Sequence, residues 1–229
     1  MVLHRFKGIP QFDWVNELSP KLQSLFKQDE TPEVISFDHN EYLKGLEFLP
    51  GLYQSIVNRV VLCIEYQSFK DKESKKFIIH PYYLKQYNKR WFLFGLNDEM
   101  KLIYNLALDR IKSINTSHST YIKNSAIDFN EYFDDLVGVS LNQDLKPIKI
   151  LLHFNKESAP YIFTKPLHGS QKKIEENSNG VTFQIEVIPN FELKQLLLSF
   201  GAGVEILSPE AFRNEFISII DEMKNKYNA

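Results

Sequence analysis

Ile78-Ile79-His80-Pro81-Tyr82-Tyr83-Leu84, Arg90-Trp91-Phe92-Leu93-Phe94-Gly95 and Leu106-Ala107-Leu108-Asp109-Arg110-Ile111 are three closely spaced runs of β-branched and aromatic residues. Such residues fit a pleated, half-buried surface, and turn formers separate the runs: Asn88-Lys89 after the first, Asn97-Asp98-Glu99 after the second. The reading is an antiparallel meander. Polar and cationic groups recur along it, so its strands carry chemistry as well as core.

Upstream, Leu46, Leu49, Leu52, Tyr53, Ile56 and Val60 recur at steps of three and four, an amphipathic helix with Pro50 in its first turn. It feeds Val60 to Phe69, a strand whose alternation puts Leu62, Ile64 and Tyr66 on one face with Ser68. A lysine-rich hairpin, Lys70 to Lys76, leads back into the meander. One helix followed by five short, strongly bent strands predicts a small barrel of SH3 or Sm type.

The segment from Pro147 reads differently. Ile148–Phe154, Ser158–Lys165, Ser170–Glu176, Val181–Ile188, Phe191–Phe200 and Gly203–Leu207 follow the order β-α-β-β-α-β, and Pro209–Tyr227 is a final helix. That order predicts a ferredoxin-like sandwich, so the fold class is α+β. Before the meander, Trp14, Leu18, Leu22, Leu25 and Phe26 give a helical leader an apolar face, and Val34–Phe37 reads as a short strand. The expected organisation is a leader over 1–33, a barrel over 34–116, a linker with a short helix near Phe129–Val137 over 117–146, and a second domain over 147–229.

The 229 residues are 43% hydrophobic and carry a net charge of −2, which argues against a general nucleic-acid coat. The charge is uneven, however: residues 59–112 hold 11 basic and 6 acidic side chains, and the flanking segments are acidic. A local basic face attracts an anionic ligand even on a slightly acidic protein. No apolar run is long enough to span a bilayer and the start lacks a signal-peptide core, which points to the cytoplasm. The single cysteine, Cys63, reads as a packed thiol. Gly201-Ala202-Gly203 suits a left-handed cap better than a phosphate loop, the six histidines have no metal-ligand spacing, and Asp134-Asp135 and Glu175-Glu176 read as solvated faces. Nothing in the pattern asks for an enzyme, a metal or a cofactor.

What gathers on the central strands is a set of donors and rings: Tyr66, Ser68, His80, Tyr82, Lys85, Arg90, Trp91 and Arg110. Guanidinium forks fit phosphate, rings stack on bases, and hydroxyls complete the hydrogen bonds. The ligand class is a nucleotide or a short single strand. Structural uses compete at several positions: Arg110 follows Asp109 and can pair with it, Trp91 suits a core, and His80 before Pro81 can close a turn.

Arg90-Trp91-Phe92-Leu93-x-Gly95, preceded by Pro81-Tyr82-x-Leu84 and followed by Leu108-Asp109-Arg110-Ile111, resembles the WYL domain, with Phe92 in place of the name-giving tyrosine. Leu196-Leu197-Leu198-Ser199-Phe200-Gly201, Val204-Glu205-Ile206-Leu207 and Pro209 resemble the WCX extension that accompanies it. The resemblance implies the sensory part of a bacterial transcriptional regulator, with Tyr66-x-Ser68 and Arg90 in ligand sensing and a homodimer as the working form. Such modules commonly follow a winged helix-turn-helix; no such pattern precedes residue 34, so DNA contact is expected only through a domain outside this chain. An accessory protein-interaction module without a nucleic-acid ligand is the alternative.

Overall fold

The computed structural model describes residues 44–125, 127–141 and 145–228. The leader helix and the Val34–Phe37 strand lie outside them. A 3-10 turn at Leu46–Phe48 runs into helix α1 (Leu49–Val57), with Pro50 in the first turn, where its missing N–H costs nothing. Strands β1 (Leu62–Tyr66), β2 (Lys75–Tyr87), β3 (Arg90–Asn97), β4 (Ile103–Ala107) and β5 (Ile111–Thr116) form one antiparallel sheet in the order β4-β3-β2-β1-β5. The meander is as expected. Asn88 and Lys89, both at positive φ, make the two-residue turn that fits the right-handed twist of the β2–β3 hairpin.

The sheet is not a closed barrel. No ladder joins its edge strands β4 and β5; a 3-10 turn at Leu108–Arg110 carries the chain from one edge to the other. Both faces are covered instead. Leu62, Ile64, Ile79, Leu93 and Leu106 pack with Leu52 of α1 on the first face. On the second, Phe94 packs with Phe129 and Val139 from the segment after β5, and Tyr83 stacks on Phe129 at 4.9 Å with rings 2° apart. Burial of each such side chain contributes roughly 1.5–3 kcal/mol.

A bulge between Pro81 and Tyr83 shifts the β2–β3 register, and Gly95 makes it possible: a Cβ there would lie 2.6 Å from the His80 carbonyl oxygen. The segment expected as a linker is ordered along β2. Tyr121 donates its hydroxyl to the Pro81 carbonyl at 2.8 Å, and the Tyr82 hydroxyl donates to the Ile122 carbonyl at 2.8 Å. Residues 129–137, expected as a short helix, run as successive turns over 129–135, and Phe129, Tyr132 and Phe133 pack on the second face of the sheet.

The C-terminal half follows the expected order: β6 (Ile148–Asn155), α2 (Ala159–Thr164), β7 (Lys172–Asn177), β8 (Gly180–Val187), α3 (Phe191–Leu198), β9 (Val204–Ser208) and α4 (Glu210–Tyr227). Its antiparallel sheet has the order β7-β8-β6-β9. Ile150, Leu152 and Phe154 alternate inward along β6 and meet Phe183 and Ile185 of β8, Leu193 and Leu197 of α3, and Phe212 and Phe216 of α4. Gly201, at φ 54, forms the left-handed end after α3. No helix among the described residues is long and apolar enough to cross a membrane.

A short strap ties the two halves. Val137 belongs to the second core while Val139 belongs to the second face of the first sheet. Asn105 of β4 donates to the Val139 carbonyl at 2.8 Å, and buried Asn190 donates to the carbonyls of Val137 and Ser140 at 2.8 and 3.0 Å.

Candidate ligand-binding site

The residues singled out from the sequence separate into two groups on opposite faces of the first sheet. Tyr66 and Trp91 lie on the face covered by α1, whereas Tyr82 joins the aromatic cluster of the other face. Lys85, opposite Phe92 in the ladder, sits over the Phe133 ring on that same second face. Alternation along β2, displaced by the bulge, is the reason.

His80 has both ring nitrogens engaged within the fold. It is 0% exposed, accepts from the Ile122 N–H at Nδ1 (3.1 Å) and therefore carries its proton on Nε2, which donates to Asp98 Oδ1 at 3.1 Å. The Asp98 carboxyl is held below its ordinary range, first by the Lys101 ammonium and then by this ring. His80 closes a structural junction, one of the two uses the sequence offered. Trp91 is half-buried and packs on the first core.

Tyr82 is a second structural anchor. Burial, followed by the charge of Tyr121, pushes its phenol up to about 12. The folded value lies above the ordinary value of about 10, so its contribution to stability is full below pH 10 and is lost as pH rises through about 12. In urea titrations the wild-type midpoint is expected to drop between those pH values. Tyr82→Phe should show a smaller drop and lack the latest phenolate absorbance step; an unchanged step would assign the late titration to another tyrosine.

The other group surrounds the Leu108–Arg110 turn. Gly45, at φ 87, backs this turn closely enough that a Cβ would overlap the Leu108 carbonyl. Gln67 N–H donates to the Arg110 carbonyl at 3.1 Å, tying the turn to the end of β1. So placed, the Arg110 guanidinium lies 4.5 Å from the centroid of Phe69, a ring that is 71% exposed. Tyr66 is its neighbour: burial raises the phenol pKa, and the Arg110 charge opposes that shift.

Asp109 sits between two arginines, with Arg90 Nε 3.7 Å from one carboxylate oxygen and Arg110 Nε 3.9 Å from the other. These separations are attractive but beyond hydrogen-bond length. Arg110 Nε and Asp109 Oδ1 are accordingly buried without a hydrogen-bond partner. A buried donor left unmade is costly, and the Asp109 carboxylate at 3.9 Å is the charge that faces it. Arg90 is half-exposed at the rim.

Ser68 lies past the end of β1, where its hydroxyl accepts from the Lys70 N–H at 3.3 Å. The turn beyond is braced by the Gln67 amide, which donates to the carbonyls of Asp71 and Lys72 at 3.3 and 3.1 Å. Phe69 escaped the sequence reading, which offered Asp109 only as a partner for Arg110. The signal for Phe69 was present, a large ring in a lysine-rich turn directly after Tyr66-x-Ser68. The turn thus joins a cationic fork, an exposed ring and a phenol, a set able to hold a phosphate and stack a base. No group of three His, Cys, Asp or Glu among the described residues could hold a metal.

The WYL domain model matches residues 47–116 and the WCX domain model matches residues 146–224. No curated protein matches the chain. Among solved structures it is similar to proteasome accessory factor B/C (PafBC) of Arthrobacter aurescens, with 16% identity and a TM-score of 0.34 over 84% of this chain and 29% of that one. It is also similar to a CRISPR Cas-related protein, with 14% identity and a TM-score of 0.45 over 77% of this chain and 50% of that one. The chain therefore spans half or less of the length of these two structures.

Proposed function

The chain belongs to the WYL domain-containing proteins, with a WCX domain on its C-terminal side, and on that premise we propose that it is the sensory part of a transcriptional regulator whose ligand is a nucleotide-like molecule or a single-stranded nucleic acid. Both matched domains are regulatory rather than enzymatic families. The observation that carries the ligand class is the Arg110 guanidinium set 4.5 Å from the centroid of the exposed Phe69 ring. A phosphate would pair with the part of the guanidinium that remains exposed, Phe69 would take the adjoining base, and Tyr66, Ser68 and Arg90 would line the approach.

In this reading the first sheet is a strongly bent relative of the SH3 type and the second a ferredoxin-like sheet. The working form is a homodimer, favoured by the exposed Ile217, Ile220, Met223 and Tyr227 along α4, and DNA is contacted by a separate reader domain.

A single-stranded DNA of about ten nucleotides, long enough to cover one such surface, tests the reading in a titration at two salt concentrations. With two phosphates neutralised, affinity is expected to fall about sevenfold between roughly 50 and 200 mM salt. Saturable binding indifferent to salt, or no binding, would reject the phosphate-reading site and favour a protein-docking module.

A further inference from the structure

The second face of the first sheet holds a concavity of its own, whose volume of ≈ 460 Å³ falls within the range of small-molecule sites. It lies on the face opposite the one that packs Tyr66. Tyr83 and Lys85 of β2 form one wall, Phe133 and Asp134 of the turn segment another, and His168, from the loop between α2 and β7, closes it from the WCX side. Three parts of the chain, distant in sequence, meet there.

Lys85 sets the chemistry. Its Nζ stands 3.8 Å from the Phe133 centroid, and among the described residues no carboxylate lies within ion-pair distance of it. Burial holds its ammonium below the ordinary lysine value, as expected for a partly desolvated cation without a counter-ion. Tyr83 and Phe133 are partly exposed on the walls, so a flat ring has aromatic surface to lie against. His168 is a neutral polar group there: burial lowers its pKa more than the Asp134 carbonyl and the charges of Asp135 and Asp134 raise it. Asp134, on the lining, disfavours a second negative charge.

We propose that this concavity is a second binding site, taking a small planar aromatic monocarboxylate whose ring lies against Tyr83 and Phe133 and whose carboxylate pairs with Lys85. The site is independent of the Arg110 turn. Because its walls come from both domains, an occupant bridges the WYL sheet and the WCX loop and raises the unfolding temperature of the whole chain.

Calorimetric titration of the full chain with indole-3-carboxylate, indole-3-carboxamide and 3-indoxyl phosphate tests the assignment. The carboxylate is expected to bind saturably, the neutral carboxamide at least about tenfold more weakly, and the phosphate no more tightly than the carboxylate. Lys85→Met, which keeps the stem over Phe133, should lose about tenfold in carboxylate affinity, whereas Arg110→Gln should bind it like wild type. Equal binding of carboxylate and carboxamide, equal binding by wild type and Lys85→Met, tighter binding of the phosphate, or no carboxylate binding would each overturn the proposal. The carboxylate–carboxamide comparison uses the wild-type chain, so it decides even if Lys85→Met does not fold. Loss of oligonucleotide binding with retained carboxylate binding would separate failure of the first site from failure of this one.

Discussion

Arg110→Gln is expected to weaken single-stranded DNA binding by about 30- to 150-fold, the equivalent of losing roughly 2–3 kcal/mol of charge-assisted hydrogen bonding. Glutamine retains one amide and removes the fork and the charge. The fold should tolerate the change. Arg110 Nε makes no hydrogen bond, the ring it covers is exposed, and Asp109 keeps Arg90 as its counter-charge at 3.7 Å. The melting temperature should therefore stay within about 4 °C of wild type.

Arg90→Gln provides the internal comparison. Arg90 is 49% exposed, and exposed ion pairs contribute little, so a loss of about threefold is expected. Filter-binding or anisotropy titrations of both variants at one salt concentration decide the matter. If Arg90→Gln loses more affinity than Arg110→Gln, the phosphate is read at the rim and not beside Tyr66.

Asn190→Ala is expected to destabilise the chain by about 3 kcal/mol, measured as a lower urea midpoint. One side chain performs three tasks. Its Oδ1 accepts from the Leu193 N–H at 2.8 Å and caps α3, while its Nδ2 donates to the Val137 and Ser140 carbonyls of the strap. Asn190 is buried, so alanine leaves these groups without a replacement from water. Asn190→Asp separates the tasks: it keeps the cap acceptor but sets a carboxylate against two carbonyls. It should be at least as destabilising as alanine; a variant near wild type would mean that capping, not the strap, accounts for the effect.

The second proposed site depends on where a residue sits relative to the bulge in β2. Up to Pro81 and from Tyr83 onward the strand keeps strict alternation, but the register shift between them changes which numbers face which side. Counting by twos through Tyr82 therefore puts Tyr82 with Leu84, although Tyr82 packs on the second face and Leu84 on the first. The close approach of Gly95 to the His80 carbonyl marks the shift in the structure; in the sequence it is one glycine at the end of an aromatic run. Likewise, residues 117–125 are polar enough to read as a linker, yet Tyr121 and Ile122 meet β2 through partners about 40 residues away.

By itself the sequence determined the elements and their order: the meander with its Asn88-Lys89 turn, Pro50 in the first turn of α1, the β-α-β-β-α-β run, and the blocks matched by the WYL and WCX models. Those are local signals, because hydrophobic period, turn chemistry and capping act over a few residues. The tertiary structure alone decided that the first sheet stays open, that the chosen side chains divide between two faces, that Phe69 lies against Arg110, and that the strap is stitched to both cores. Each depends on contacts between residues far apart in the chain, whose pairing follows from packing rather than from any local pattern.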